Sequence, residues 1–127
     1  MKKILIADDS LFMRMTLKDN LPEGYEVVEA DSGAKTLEQF KKEKPDLVLL
    51  DIVMPEGEEE GVRVLQKIMQ SDPQACVVMI TAVGQDAIIE ECKKLGARDY
   101  IVKPFDEKQV AETIQRCLGE EALAGSE

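Results

Sequence analysis

Five side chains carry most of the chemistry this sequence could perform: Asp8, Asp9, Asp51, Thr81 and Lys103. Each directly follows a short apolar run, or is the second residue after it: Ile4–Ala7 before the two aspartates, Leu47–Leu50 before Asp51, Val77–Ile80 before Thr81 and Tyr100–Val102 before Lys103. If the first and third runs lie side by side, three carboxylates converge within a few ångströms. Like charges so close either force a proton onto the cluster or require a divalent cation. Mg²⁺ suits such a set because it needs only one or two carboxylates, keeps several waters and is completed by phosphate oxygens. Asp51 then reads as a nucleophile, since carboxylates form acyl phosphates and a neighbouring metal eases the approach of an anionic donor. Lys103 supplies a compact positive charge and Thr81 a hydroxyl, so charge on the phosphoryl oxygens is shared. Taken singly, the residues have plainer readings: an acid pair at a helix N-terminus, a strand-end hydroxyl, a solvated lysine. Their joint placement favours the chemistry.

The elements that must position them are legible from periodicity. Together with Val27-Val28, the four runs make five short apolar segments, rich in β-branched residues and with little alternation, as expected of strands buried on both faces. Tyr25–Ala30 is the most polar and is expected near a sheet edge. Between the strands lie helically spaced apolar residues: Phe12 and Met15 with Met13, Leu17 and Leu21, then Ala34, Leu37 and Phe40, then Val62, Leu65, Ile68 and Met69, then Ile88, Cys92 and Leu95, and finally Val110, Ile114 and Cys117. Phe12, Met13 and Met15 read as core and helix-face residues. The last helix opens on a capping signature, Asp106 with Gln109 three residues on. Five βα units in succession demand crossover helices and a parallel sheet covered on both faces, an α/β fold. In such sheets ligands bind outside the carboxyl ends of the strands, where the five residues stand.

Composition narrows the classes further. The chain has 127 residues, 44% of them hydrophobic, and a formal net charge of −10. That suits one domain, expected over residues 1–119, followed by a polar, frayed tail from 120 to 127. The negative field disfavours nucleic acid and anionic membranes. There is no histidine, which excludes imidazole zinc sites and histidine-dependent triads. Cys76, Cys92 and Cys117 are widely spaced in apolar surroundings and read as reduced core residues. The first apolar run stops at Ala7, too short for a secretory or membrane-spanning segment, so a cytoplasmic location is expected.

Four motifs, each at a strand end and in this order, resemble the receiver domains of bacterial response regulators, the CheY-like family: ILIADDS at residues 4–10, LVLLDIVMP at 47–55, MITA at 79–82 and ARDYIVKPF at 97–105. The resemblance runs from Met1 to Leu118. It implies a flavodoxin-like (βα)5 sheet of order 2-1-3-4-5 and a two-component signalling role. Asp51 would be the phosphoacceptor, phosphorylated in a Mg²⁺-dependent reaction by a histidine kinase or phosphotransfer protein. Asp9 and Asp51 would ligate the metal directly, Asp8 largely through water, and the Val53 backbone carbonyl would complete the protein ligands. The Lys103–Pro104 bond would be cis. Thr81 and Tyr100 would switch on phosphorylation, with the small Ala82 leaving the acyl phosphate accessible. The surface of helix four, strand five and helix five would change partners, as a monomer or a phosphorylation-dependent dimer. Ser10–Arg14 resembles the chemotaxis members, and a stand-alone regulator or phosphorelay shuttle, or the receiver part of a larger regulator, is expected, catalysing only its own modification.

Two departures from the family pattern stand out. Glu56–Glu60 makes the loop after Met54-Pro55 longer than the usual one with its Asp-Gly, reading either as a solvated insertion or as an acidic element that slows anionic donors or recruits a basic partner. The turn Leu21–Gly24 is short and is expected to be neutral. An aspartyl phosphatase would normally carry a second acid two residues after the nucleophile, where this chain has Val53. A dinucleotide site lacks its glycine-rich turn after the first strand. A receiver-like module that is never phosphorylated is disfavoured by the complete set of site residues.

Overall fold

The computed structural model describes residues 1–82 and 86–119. Five strands, β1 (Lys2–Ala7), β2 (Tyr25–Ala30), β3 (Leu47–Leu50), β4 (Val77–Thr81) and β5 (Asp99–Val102), alternate with five helices, α1 (Leu11–Asn20), α2 (Gly33–Glu43), α3 (Glu60–Ser71), α4 (Asp86–Leu95) and α5 (Glu107–Ile114). A π-helical turn, Gln115–Gly119, extends α5. All strand pairs are parallel and the order is β2-β1-β3-β4-β5, with Ala7 in register with Ala30 on one side and Leu50 on the other. The polar strand β2 is at the edge, as its composition implies. The expected tail from 120 to 127 lies outside the described residues.

Successive side chains of a strand point to opposite faces, and the core divides accordingly. Leu5, Ala7, Val48, Leu50 and Met79 pack with Val64, Leu65 and Ile68 of α3, Cys92 of α4 and the partly buried Leu37 and Phe40 of α2. Ile4, Ile6, Leu47, Leu49, Val78 and Ile80 pack with Leu17 of α1, Val110 and Ile114 of α5 and Cys117. All three cysteines are buried and free. No helix among the described residues is long and apolar enough to cross a membrane.

Helix starts follow local chemistry. Ser10, Ser32 and Asp106 are N-caps whose side chains accept from the backbone N–H groups of Met13, Lys35 and Gln109. On α1 the apolar spacing had suggested a broader buried face than exists. Met13 is partly buried and Leu17 fully, but Phe12 is 75% exposed and Met15 51%, with Leu11 beside them at 61%. The stripe Met13, Leu17, Leu21 recurs every four residues and faces the sheet, so Phe12 and Met15 must face solvent.

The edge strand is tied to α1 by charge. Glu29 accepts from Arg14 Nε at 2.8 Å and from Lys18 Nζ at 2.9 Å. The hydrogen bond from Lys18, reinforced by Arg14, holds the Glu29 carboxyl below its ordinary pKa although partial burial opposes this. A carboxylate with a depressed folded-state pKa stabilises above its unfolded pKa and loses that contribution as pH falls through the folded one. Glu29→Gln is therefore expected to lower stability by about 0.5 kcal/mol at neutral pH, discounted for solvent screening. The difference should vanish near pH 3; urea unfolding at both pH values checks it.

Candidate phosphoryl-acceptor site

The parallel register brings the ends of β1 and β3 side by side, and this places the acids. The Asp51 N–H donates to Ala7 O at 3.0 Å and the Asp8 N–H to Ala30 O at 3.0 Å, so the ladders continue into the aspartates. One carboxylate oxygen from each of Asp8, Asp9 and Asp51 lies within 4.8 Å of the others. Asp8 and Asp51 are buried, at 2% and 6% exposure, whereas Asp9 faces solvent. Asp8 is held by the Ser10 N–H on Oδ1 at 2.9 Å, and its backbone carbonyl accepts from Arg14 Nη1 at 2.7 Å.

Lys103 crosses the sheet to these acids. Its Nζ donates to Asp8 Oδ2 at 2.8 Å and to Asp51 Oδ2 at 3.0 Å. The lysine follows β5, its N–H donates to the Thr81 carbonyl at 2.8 Å, and the Lys103–Pro104 peptide is cis. Burial pushes the Asp51 carboxyl above its ordinary pKa, and the charge and hydrogen bond of Lys103 offset this only in part, with Asp8 adding repulsion. Lys103 is itself desolvated, which favours its neutral form, but its bonds to Asp8 and Asp51 outweigh this and raise its pKa. Two buried carboxylates around one ammonium leave the pocket short of positive charge.

The other candidate residues fall around this pocket or beside it. Thr81 is buried at the end of β4, and Ala82 beyond it is exposed. Val53 follows Asp51 closely enough for its N–H to reach Asp51 Oδ1 at 3.3 Å. Tyr100 lies on β5, half-buried, with Lys93 Nζ of α4 5.4 Å from its ring centroid.

Three residues of the β3–α3 loop and the first turn of α3 hold the site in ways that sequence reasoning did not identify. The Gly61 N–H donates to Ile52 O at 2.7 Å, and a β-carbon at Gly61 would collide with the backbone carbonyl of Asp51. Only glycine lets α3 begin against the acceptor's own backbone; a lone glycine opening a helical pattern was the available signal. The acidic run is divided in its tasks. Met54 and Gly57 exchange backbone hydrogen bonds of 3.1 and 3.0 Å, closing a tight turn. From that turn Glu56 accepts the N–H groups of Gly33 and Ala34 at 3.0 and 2.9 Å, and these bonds to the α2 N-terminus hold its carboxyl below the ordinary pKa. Glu60 is buried, accepts from Arg63 at 2.7 and 2.5 Å and lies so close over Gly33 that any β-carbon there would meet it. No local pattern announces these contacts, because Glu56 and Gly33 are 23 residues apart.

A doubly wound parallel sheet with an acidic, lysine-bridged pocket at its carboxyl edge defines a phospho-acceptor domain of the flavodoxin-like class. The chain belongs to the response regulator receiver domain family, whose model matches residues 4–115. It is 46% identical over 118 residues to the chemotaxis protein CheY of Bacillus subtilis, covering 91% of this chain and 97% of that protein. Among solved structures it resembles a CheY-like receiver domain protein from Methanospirillum hungatei, with a TM-score of 0.88 and 30% identity over 98% of both chains. A chain of the CheX–CheY–BeF3–Mg²⁺ complex from Borrelia burgdorferi matches with a TM-score of 0.83 and 32% identity, over 91% of this chain and 87% of that one. The chain is a receiver domain of phosphorylation-dependent signalling.

Gly61→Ala is expected to displace α3 from the Asp51 backbone, costing roughly 2 kcal/mol or more and slowing modification of Asp51. Denaturant unfolding and an acetyl phosphate time course check both parts; a variant as stable and as fast as wild type would remove the assigned role.

Proposed function

We propose that Asp51 receives a phosphoryl group from a histidine kinase or phosphotransfer protein and that the chain reports this by changing its α4–β5–α5 surface. The observation that carries the proposal is the bridge from Lys103 to Asp8 and Asp51, with the Asp9 carboxylate completing the acidic set. A buried aspartate at a strand end, beside a cation and open to solvent on the Asp9 side, is placed to act as an in-line nucleophile.

In the transfer, an Asp51 carboxylate oxygen attacks the donor phosphorus, the bond to the donor's histidine nitrogen breaks, and an acyl phosphate forms. Asp8, Asp9, Asp51 and the Val53 carbonyl offer hard oxygen ligands that fit Mg²⁺; when bound, the ion neutralises charge between carboxylates and phosphoryl oxygens. The Lys103 ammonium exchanges a carboxylate oxygen for a phosphoryl oxygen, and the Thr81 hydroxyl donates to another. The exposed Ala82 leaves room for water to reach the acyl phosphate. Tyr100 lies between Lys93 and β4, so displacement of Thr81 is transmitted to the half-buried ring as a shift between two packings. The domain acts on itself alone, in the cytoplasm, monomeric or dimerising on phosphorylation. With Glu56 and Glu60 engaged, the exposed side chains of Glu58 and Glu59 are left facing outward, Glu59 serving α3 only through its backbone carbonyl.

Intact mass after incubation with acetyl phosphate is expected to show one added phosphoryl group that requires Mg²⁺ and is absent from Asp51→Asn. Failure of both acetyl phosphate and a phosphohistidine donor, with Mg²⁺ binding confirmed separately, would leave a module that signals by binding alone.

A further inference from the structure

A sizeable concavity lies at the opposite end of the sheet from Asp51. It is a cleft of about 690 Å³ between the C-terminal halves of α2 and α3, lined by Leu37, Phe40, Pro45, Lys41, Lys44 and Lys67, with Glu38, Ser71 and Asp72 at its margin. Its volume falls in the range of small-molecule sites, which combine an apolar lining with a few polar groups.

The charges around it are unevenly committed. Glu38 faces Lys35 at 3.7 Å, and Asp72 Oδ1 accepts from the Gln74 N–H at 3.0 Å. Lys41, Lys44 and Lys67 have no ion-pair partner among the described residues. Three exposed lysines and two carboxylates thus share the lining of a half-buried apolar floor, a local excess of positive charge on a chain whose net charge is −10. Lys44 is also the single non-glycine residue with positive φ among those described, 49°, and closes α2 in the left-handed conformation. That is an ordinary way for a helix to end, its N–H donating to the Phe40 carbonyl.

We infer that this cleft binds a small organic anion with a flat apolar body, of the nucleoside monophosphate kind: the ring system against Leu37, Phe40 and Pro45, the anionic group among Lys41, Lys44 and Lys67. A bare anion would gain only from the lysines, in high dielectric, and a neutral ring only from the floor. Both contributions are needed for specific binding. The inference does not rest on phosphorylation of Asp51.

The test is amide chemical-shift mapping of the full chain in Mg²⁺-free buffer at constant ionic strength, with adenosine monophosphate, adenosine and inorganic phosphate as separate probes. Adenosine monophosphate is expected to give saturable shifts of the backbone amides around Leu37–Lys44 and Lys67–Asp72, with each half-probe binding about tenfold more weakly or worse. The triple variant Lys41→Gln, Lys44→Gln, Lys67→Gln, all at exposed positions, should keep its spectral dispersion and lose the interaction by about tenfold or more. The inference is overturned by absence of saturable shifts there up to about 10 mM, by unchanged affinity in the triple variant, or by equal binding of inorganic phosphate. In those cases Lys41 and Lys44 serve only as favourable charges at the C-terminus of α2, and Lys67 as a solvated charge.

Discussion

Much of this structure answers to one electrostatic constraint: Asp8 and Asp51, both nearly out of contact with water, lie against each other at the ends of adjacent strands. Carboxylates so placed repel, and burial raises the pKa of Asp51 further. The fold meets this with a single ammonium, Lys103, delivered from the far side of β4 by the end of β5. One cation between two acids leaves residual negative charge, to which the neighbouring Asp9 adds. The central position of β1 and β3 and the register of Ala7 with Leu50 follow from the same need to bring the acids together.

Holding a charged cluster to that geometry requires a rigid surround, and the loop after β3 provides it. Gly61 allows α3 to start against the acceptor's backbone, while Glu56 and Glu60 reach the start of α2 from the neighbouring loop. The acidic insertion is thus partly a structural clamp. The Glu56 carboxylate takes two N–H groups that the α2 N-terminus leaves unpaired, a favourable place for negative charge, and Glu60 packs over Gly33. Two of the helices on this face of the sheet, α2 and α3, are tied together beside the site, and the cleft lies between their far ends.

The sequence by itself determined the order of elements, the parallel sheet covered on both faces and which polar strand ends gather at its carboxyl edge. These depend on local rules: unbroken apolar runs of β-branched residues make doubly buried strands, and polar residues directly after them sit at the carboxyl edge. Asp106 with Gln109 was legible as a cap for the same reason, since both partners lie within one turn. Tertiary structure decided what depends on contacts between distant residues. It chose Met13 and Leu17 over Phe12 and Met15 as the inward face of α1, because spacing supplies two candidate stripes and only the sheet selects one. It likewise turned Glu56 from a solvated charge into a helix cap, and set Lys103 between two carboxylates 52 and 95 residues away. Hydrogen bonds and Coulomb forces act over a few ångströms, so which charges meet is settled only when the chain has brought its strand ends together.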